Sequence, residues 1–279
     1  MSVLAQRLTY GSLLLGGSLG LLALDHWLAS SIGFIVLLTV LVGLGWFEWT
    51  RLLGLEGLAV SCGGAILILG IAGLGWIHRR PEALEATGVL LALLPLLLPG
   101  VLAAWALRRA PSRSELHRIA LAALGVLYLG LPAVCCLQLR WLENGELWVL
   151  LLLLVVKGND IGAYLIGRKW GRTPLCQVSP KKTREGSLAG LLVGMGVASL
   201  VAWRGGLPGG VAGGLLVGAL AGLAGQVGDL AESFVKRSVG AKDSGALIPA
   251  FGGALDLLDS VLFGAPVVFV VAWMLTRVA

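Results

Sequence analysis

Apolar runs long enough to cross a bilayer recur from one end of this chain to the other, and that recurrence constrains the fold more than any motif does. A helix needs about 20 predominantly apolar residues to cross roughly 30 Å of hydrocarbon. Nine such runs can be read, at about 8–24, 30–47, 57–77, 87–107, 119–139, 147–166, 187–203, 209–228 and 257–275. The first, second and seventh are short, so the count is about nine. Composition agrees: 57% of residues are hydrophobic and 13% charged, against about 25% charged in a soluble domain. The expected fold is all-α, a polytopic integral membrane protein with about nine transmembrane helices.

Arg7 before the first apolar run raises the possibility of a signal peptide, but no clear small-x-small cleavage site follows near Asp25, so the segment is expected to be retained. Cys62, Cys135, Cys136 and Cys176 have neither CxxC spacing nor a histidine cluster. They read as small buried residues.

The net charge of +6 becomes informative when sorted by side of the membrane. With nine spans, the N-terminus and the loops after even-numbered spans carry 15 Lys and Arg, the opposite side carries 5, and Lys157 lies within a span. Lys and Arg accumulate on the cytoplasmic side, so the N-terminus and both large basic loops should be cytoplasmic and the C-terminus outside.

Residues 1–146 read as a scaffold of spans joined by short loops, and residues 147–279 as a catalytic half with cytoplasmic loops; together they form one continuous membrane domain. In the first half the loop RRAPSRSELHR is accounted for as a topology signal near anionic headgroups. From residue 147 ionisable residues enter the spans themselves. In LWVLLLLLVVKGNDIGAYLIG, Lys157, Asn159 and Asp160 interrupt an apolar helix, and each charge at membrane depth costs roughly 2.5–3.5 kcal/mol on insertion scales. Such a cost marks function more often than a Lys157–Asp160 pair that merely neutralises itself. Gly210, Gly214, Gly218 and Gly222 fall every fourth residue in the eighth span, with Gly186, Gly190 and Gly194 repeating the device in the seventh. This spacing lets helix backbones approach closely.

Three polar clusters fall on the expected cytoplasmic side. The first is Lys157, Asn159, Asp160 and Tyr164. The second is the loop GRKWGRTPLCQVSPKKTREG, with six basic residues. The third runs from Asp229, expected to close the eighth span, to Asp256 and Asp259, which open the ninth and share a helix face. Carboxylates around a basic, phosphate-sized opening suit Mg²⁺, which takes hard oxygen ligands and completes its shell with phosphates and water. For Asp256 the alternative is a first-turn residue favoured by the helix dipole, and Glu232 with Lys236 reads as an ordinary i,i+4 pair. His26, His78 and His117 lie away from these clusters, and no Ser or Cys has a nearby base. The combination points to phosphoryl or nucleotidyl transfer onto a lipid, where positioning and charge neutralisation supply most of the catalysis.

The stretch SFVKRSVGAKDSGALIPAFGGALDLLD, Ser233 to Asp259, resembles the signature of the phosphatidate cytidylyltransferases (CDP-diacylglycerol synthases). GQVGDLAES, VSPKKTREG and DIGAYLIGRKWG resemble the family's other recurrent elements, and the similarity covers about residues 155–270. Phe251 stands where the family signature has His, and Leu257 where it has Arg.

The resemblance implies CTP + phosphatidate → CDP-diacylglycerol + pyrophosphate, with Mg²⁺ as cofactor and room for a second cation such as K⁺. It implies catalytic roles for Asp229, Asp256, Asp259, Lys242 and Asp243, the three first-named aspartates holding the metal. Lys181, Lys182 and Thr183 would hold the CTP phosphates; Lys236, Arg237 and Lys242 would receive the lipid phosphate. Lys157, Asn159, Asp160, Tyr164, Ser179, Glu185 and Ser233 complete the substrate-binding set. The implied partners are CTP and membrane phosphatidate, with no nucleic acid and a homodimer left open. The implied location is a bacterial inner membrane, with the site facing the cytoplasm. Rival readings are a CTP-dependent membrane enzyme with another acceptor, such as a polyprenol kinase or an ether-lipid cytidylyltransferase, and an ion-coupled transporter using Lys157 and Asp160.

Overall fold

The structure, a computed structural model, describes residues 16–17, 20–21, 23–28, 30–56, 58–77, 112–245 and 252–278. Its long helices are α1 (Ile32–Leu52), α2 (Leu58–Ile77), α3 (Arg113–Arg140), α4 (Gly145–Trp170), α5 (Arg184–Gly205), α6 (Gly210–Ser238) and α7 (Ala254–Val278). Among the described residues β-structure is limited to isolated bridges such as Pro174 to Thr183. Helices α1 and α3–α7 are long and apolar enough to cross a membrane and coincide with six of the nine expected spans, and the 20-residue apolar α2 lies on a seventh, 57–77. The expected span 87–107 and most of 8–24 lie outside the described residues, so the count of nine is not established.

Two compact units emerge, one of residues 1–133 with 244–255 and one of residues 134–243 with 256–279. In the first, α1 begins where Asp25, only 2% exposed, accepts the N–H groups of Gly33 and Phe34 at 2.9 and 2.7 Å. Those early amides have no partner within their own helix. Near the other end of α1, Trp46 lies against Gly63 and Gly64 of α2, and Trp49 against Gly125 of α3. Trp49 also donates its indole N–H to Leu121 O at 3.1 Å and stacks on Tyr128 with ring centroids 5.3 Å apart. Glycine is needed at these positions because a side chain would occupy the space of the indole.

In the second unit, lipid is as apolar as leucine, so helices associate by close packing of small residues. Gly186 of α5 faces Ala163 O and Gly167 of α4, and Gly190 faces Asn159. Gly214 of α6 lies against Ser199 and Ala198 of α5, Gly218 against Met195 and Gly194, and Gly222 near Leu191. Gly210, the first of the expected seam, has open space around it and instead starts the helix at φ +51°. A second small face of α6, Gly225 and Gly228, receives Ser260 and Asp259 of α7. Large apolar side chains such as Leu188, Leu192, Leu200, Leu216 and Leu223 are left exposed on the outside, where a bilayer would cover them.

Candidate active site

Two helices run past the ends of their apolar segments, and that extension builds the site. The eighth apolar run stops near residue 228, but α6 continues to Ser238. Asp229 therefore does not close the helix; it begins a polar stretch in which Asp229, Glu232, Ser233 and Lys236, spaced by three and four, share a face. In the same way α4 continues to Trp170, setting Asp160, Tyr164 and Arg168 on one face at intervals of four.

The basic loop between α4 and α5 is folded as a short hairpin. Leu175 N–H donates to Lys182 O at 2.7 Å, Arg184 N–H to Thr173 O at 2.9 Å, and Lys182 N–H to Ser179 O at 3.0 Å. Glu185 accepts the N–H groups of Arg172 and Thr173, each at 3.2 Å, and Thr183 caps α5 by accepting Gly186 N–H at 3.2 Å. Glu185 and Thr183 thus shape the loop, and Ser179 contributes its carbonyl to the turn. The result fixes Lys182, whose ammonium pairs with the Asp229 carboxylate on α6; Ser233 lies beside Asp229 at 3.5 Å.

Around this pair opens a cavity of about 470 Å³, lined by Asn159, Asp160, Ala163, Tyr164, Gly167, Arg168, Leu175, Lys181, Lys182, Thr183, Ser187, Gln226 and Asp229. The size falls in the usual range for a small-molecule site, roughly 300–1,000 Å³. Its inner wall is a hydrogen-bonded lock across three helices. Asn159, 1% exposed, donates to Gly222 O at 2.8 Å; Gln226 donates to Asn159 Oδ1 at 2.9 Å and to Ser187 O at 2.8 Å; the Ser187 hydroxyl donates back to Gln226 Oε1. Asn159 is thus engaged in holding α4 to α6 as well as lining the cavity. At the rim, Lys157 and Asp160 pair at 3.7 Å, both side chains nearly half exposed, and Arg168 donates to the Tyr164 hydroxyl at 3.1 Å.

The rest of the third cluster lies between α6 and α7. Lys236 is 8% exposed, with its ammonium 3.0 Å from Glu232 and paired with Asp256. The expected i,i+4 pair Glu232–Lys236 has a third member in Asp256, and Lys236 is buried between the two carboxylates. Asp259, also 8% exposed, accepts the Ser260 hydroxyl at 2.9 Å. The crossing that brings it beside Asp229 is the contact of Gly228 with Asp259 O. Arg237, Lys242 and Asp243 are exposed, Arg237 donating to Ala241 O at 2.8 Å. Phe251 lies outside the described residues; Leu257 is half-buried in the first turn of α7.

Among the described residues no group of three or more His, Cys, Asp or Glu converges as a ready-made metal cage. Mg²⁺ does not need one, since it commonly takes one or two carboxylates and fills its shell with water and substrate phosphates. Of the expected ligands, Asp229 pairs with Lys182, Asp256 with Lys236, and Asp259 accepts the Ser260 hydroxyl. Gln226, Ser187 and Glu232 were not among the expected site residues. Gln226 could have been suspected as the one amide in an otherwise apolar, glycine-rich run.

The chain matches the cytidylyltransferase family over residues 5–275. It is 45% identical over 123 residues to a phosphatidate cytidylyltransferase of Helicobacter pylori, covering 44% of this chain and 46% of that one. It is 42% identical over 126 residues to one of a Synechocystis species, covering 45% and 43%, and 39% identical over 153 residues to one of Brucella suis, covering 53% and 55%. These matched stretches span about half the length of each relative.

Proposed function

This chain belongs to the cytidylyltransferase family, and on that premise we propose that it transfers the CMP moiety of CTP to phosphatidate, giving CDP-diacylglycerol and pyrophosphate. The observation that supports this most is the cavity in which Lys182, held by the folded basic loop, meets Asp229 of α6. A lysine ammonium and an aspartate carboxylate are there side by side on helices long and apolar enough to cross a membrane, and in this reading the first serves phosphate and the second a cation.

In this reading Lys181, Lys182 and Thr183 hold the triphosphate, with Ser179 and Glu185 fixing the loop, while Asn159, Asp160, Tyr164 and Lys157 border the rest of the nucleotide. Arg237 and Lys242, exposed beyond the end of α6, meet the lipid phosphate, next to Asp243 and Ser233. Lys236 orients Asp256. Asp229, Asp256 and Asp259 hold Mg²⁺, with K⁺ as an optional second cation. When bound, Mg²⁺ supplies charge neutralisation on the attacking and leaving oxygens. A phosphatidate oxygen bonds to the α-phosphorus of CTP, the α–β bridging P–O bond breaks, and its electron pair leaves on pyrophosphate. The nucleophile is a phosphomonoester with a second pKa near 6, already largely ionised at pH 7, so the chemistry asks for no protein base.

That last point is checked at Phe251. Restoring the family's imidazole by Phe251→His is expected to change the rate by less than about tenfold and to add no titration near 6.5, the unperturbed His value. A large gain carrying that new pH dependence would show that a base had been missing.

The bacterial relatives and apolar helices make this an integral membrane protein; a bacterial inner membrane with the site on the cytoplasmic side is the proposed location. The Lys/Arg asymmetry of 15 to 5 predicts that a reporter fused after Ala279 gives an outside signal. A cytoplasmic signal there would mean an even number of spans or the reverse orientation. The activity itself is tested with purified protein, CTP, Mg²⁺ and phosphatidate by mass spectrometry of the lipid fraction. CDP-diacylglycerol is the expected product, and its absence with a different cytidylylated or phosphorylated lipid would redirect the assignment to another acceptor.

A further inference from the structure

Glu48 has no part in the scheme above. It is the single acidic residue of α1, is 6% exposed, and is saturated by three donors. Its Oε1 accepts Ala254 N–H at 2.9 Å; its Oε2 accepts Leu255 N–H at 2.9 Å and the Ser244 hydroxyl at 3.1 Å. A buried carboxylate is tolerated only where such bonds replace water. Ala254 and Leu255 are the first two residues of α7, where the N–H groups have no acceptor within the helix and a negative charge meets the positive end of the helix dipole. From 206 residues away in sequence, Glu48 does what an N-cap side chain does locally.

Ser244 lies at the other end of the segment that leads into α7, so one carboxylate ties both ends of that segment. The fit leaves no spare room. A Cβ at Gly245 would lie 2.6 Å from Glu48 Oε1, and one at Gly253 would overlap both Glu48 oxygens and the Ser244 hydroxyl. Glycine at 245 and 253 is what lets the carboxylate reach the backbone.

We propose that Glu48 is a positioning residue for catalysis: its carboxylate fixes the first turn of α7 and, through it, the placement of Asp256, the next residue after Leu255. The proposal rests on the cytidylyl-transfer reading above. Loss of the clamp frees the first turn to shift or fray, while the buried apolar residues farther along α7, such as Leu262, Ala265 and Val268, keep the helix in place. The carboxylate that moves is then Asp256, and the triphosphate loop is untouched.

The test compares Glu48→Ala and Glu48→Gln with the wild type in detergent, measuring rates with CTP, phosphatidate and Mg²⁺, and thermal unfolding alongside. Glu48→Ala is expected to lower kcat by about 30-fold or more and to raise the half-saturating Mg²⁺ concentration several-fold, with the KM for CTP changed by less than about threefold. Glu48→Gln, which keeps one carbonyl acceptor, should fall between. In an Asp256→Asn background the Glu48 substitutions should add less than about threefold, since the path through Asp256 is already broken. A kcat for Glu48→Ala within threefold of wild type, or the same loss in both backgrounds, would overturn the proposal. If the alanine variant does not fold, the glutamine variant in the two backgrounds decides by the same criterion. A wild type inactive toward phosphatidate would overturn the underlying reading, and this proposal with it.

Discussion

Asp256→Asn and Asp229→Asn will each lower CDP-diacylglycerol synthesis by about two orders of magnitude or more while the protein remains folded. Two accounts of Asp256 give opposite results. A residue that only favours a helix start would be replaced well by Asn, itself a good capping side chain, at a cost of a few tenths of a kcal/mol and no change in Mg²⁺ dependence. The structure gives that account little to rest on, because the N–H groups of Ala254 and Leu255 are taken by Glu48 and the Asp256 carboxylate is turned to Lys236. A cation seat behaves differently: a bound cation supplies several kcal/mol of transition-state stabilisation, and each 1.36 kcal/mol is about tenfold in rate. Folding should survive Asp256→Asn, since Lys236 keeps Glu232 at 3.0 Å. Near-wild-type synthesis by either variant would place the metal elsewhere.

Gly218→Leu is expected to cost much of the stability of the folded state. A Cβ at 218 would lie 2.5 Å from Met195 Cα, 2.9 Å from Gly194 O and 3.0 Å from Ala198 Cβ. Two of these are backbone atoms that no rotamer change can move, so α5 and α6 must separate. Overpacking in a well-filled core costs about 1–3 kcal/mol and more where the backbone has to shift. The two helices also bring Ser187 to Gln226, so their separation should break the cavity wall and abolish activity together with the folded state. Gly196→Leu on α5 is the control, because a Cβ there meets nothing within 4 Å, and its unfolding temperature should stay within a few degrees of wild type. Equal melting of the two variants would mean that the glycine seam does not carry the α5–α6 contact.

What could be read from the sequence was what depends on local spacing. The helices α1–α7 coincide with continuous apolar runs, and the two glycine periods became two close seams, Gly186, Gly190 and Gly194 of α5 against α4 and Gly214, Gly218 and Gly222 of α6 against α5, Gly210 excepted. Helix ends were less legible. Once α6 passes Gly228 its apolar content falls, and nothing local separates a loop from a helix whose polar face is occupied by other helices; the structure continues it ten residues to Ser238. Side-chain partners were least legible of all. Glu232–Lys236 has i,i+4 spacing, but its third member, Asp256, is 20 residues on from Lys236; Asn159 finds Gly222 63 residues away; and Glu48 finds α7 after 206. Lys236 was grouped with Arg237 and Lys242 by the motif the three share, but Arg237 and Lys242 are exposed whereas the helical turn of α6 carries Lys236 inward between two carboxylates.

Position-labelled CTP tests the central claim most directly. Purified protein in detergent is given phosphatidate, Mg²⁺ and CTP labelled either at the α- or at the γ-phosphorus, and the lipid and aqueous products are separated. Cytidylyl transfer predicts that the α-label enters the lipid, as CDP-diacylglycerol, while the γ-label is released entirely in pyrophosphate. Appearance of the γ-label in the lipid, with the α-label left in CDP, would contradict the account and identify a CTP-dependent kinase.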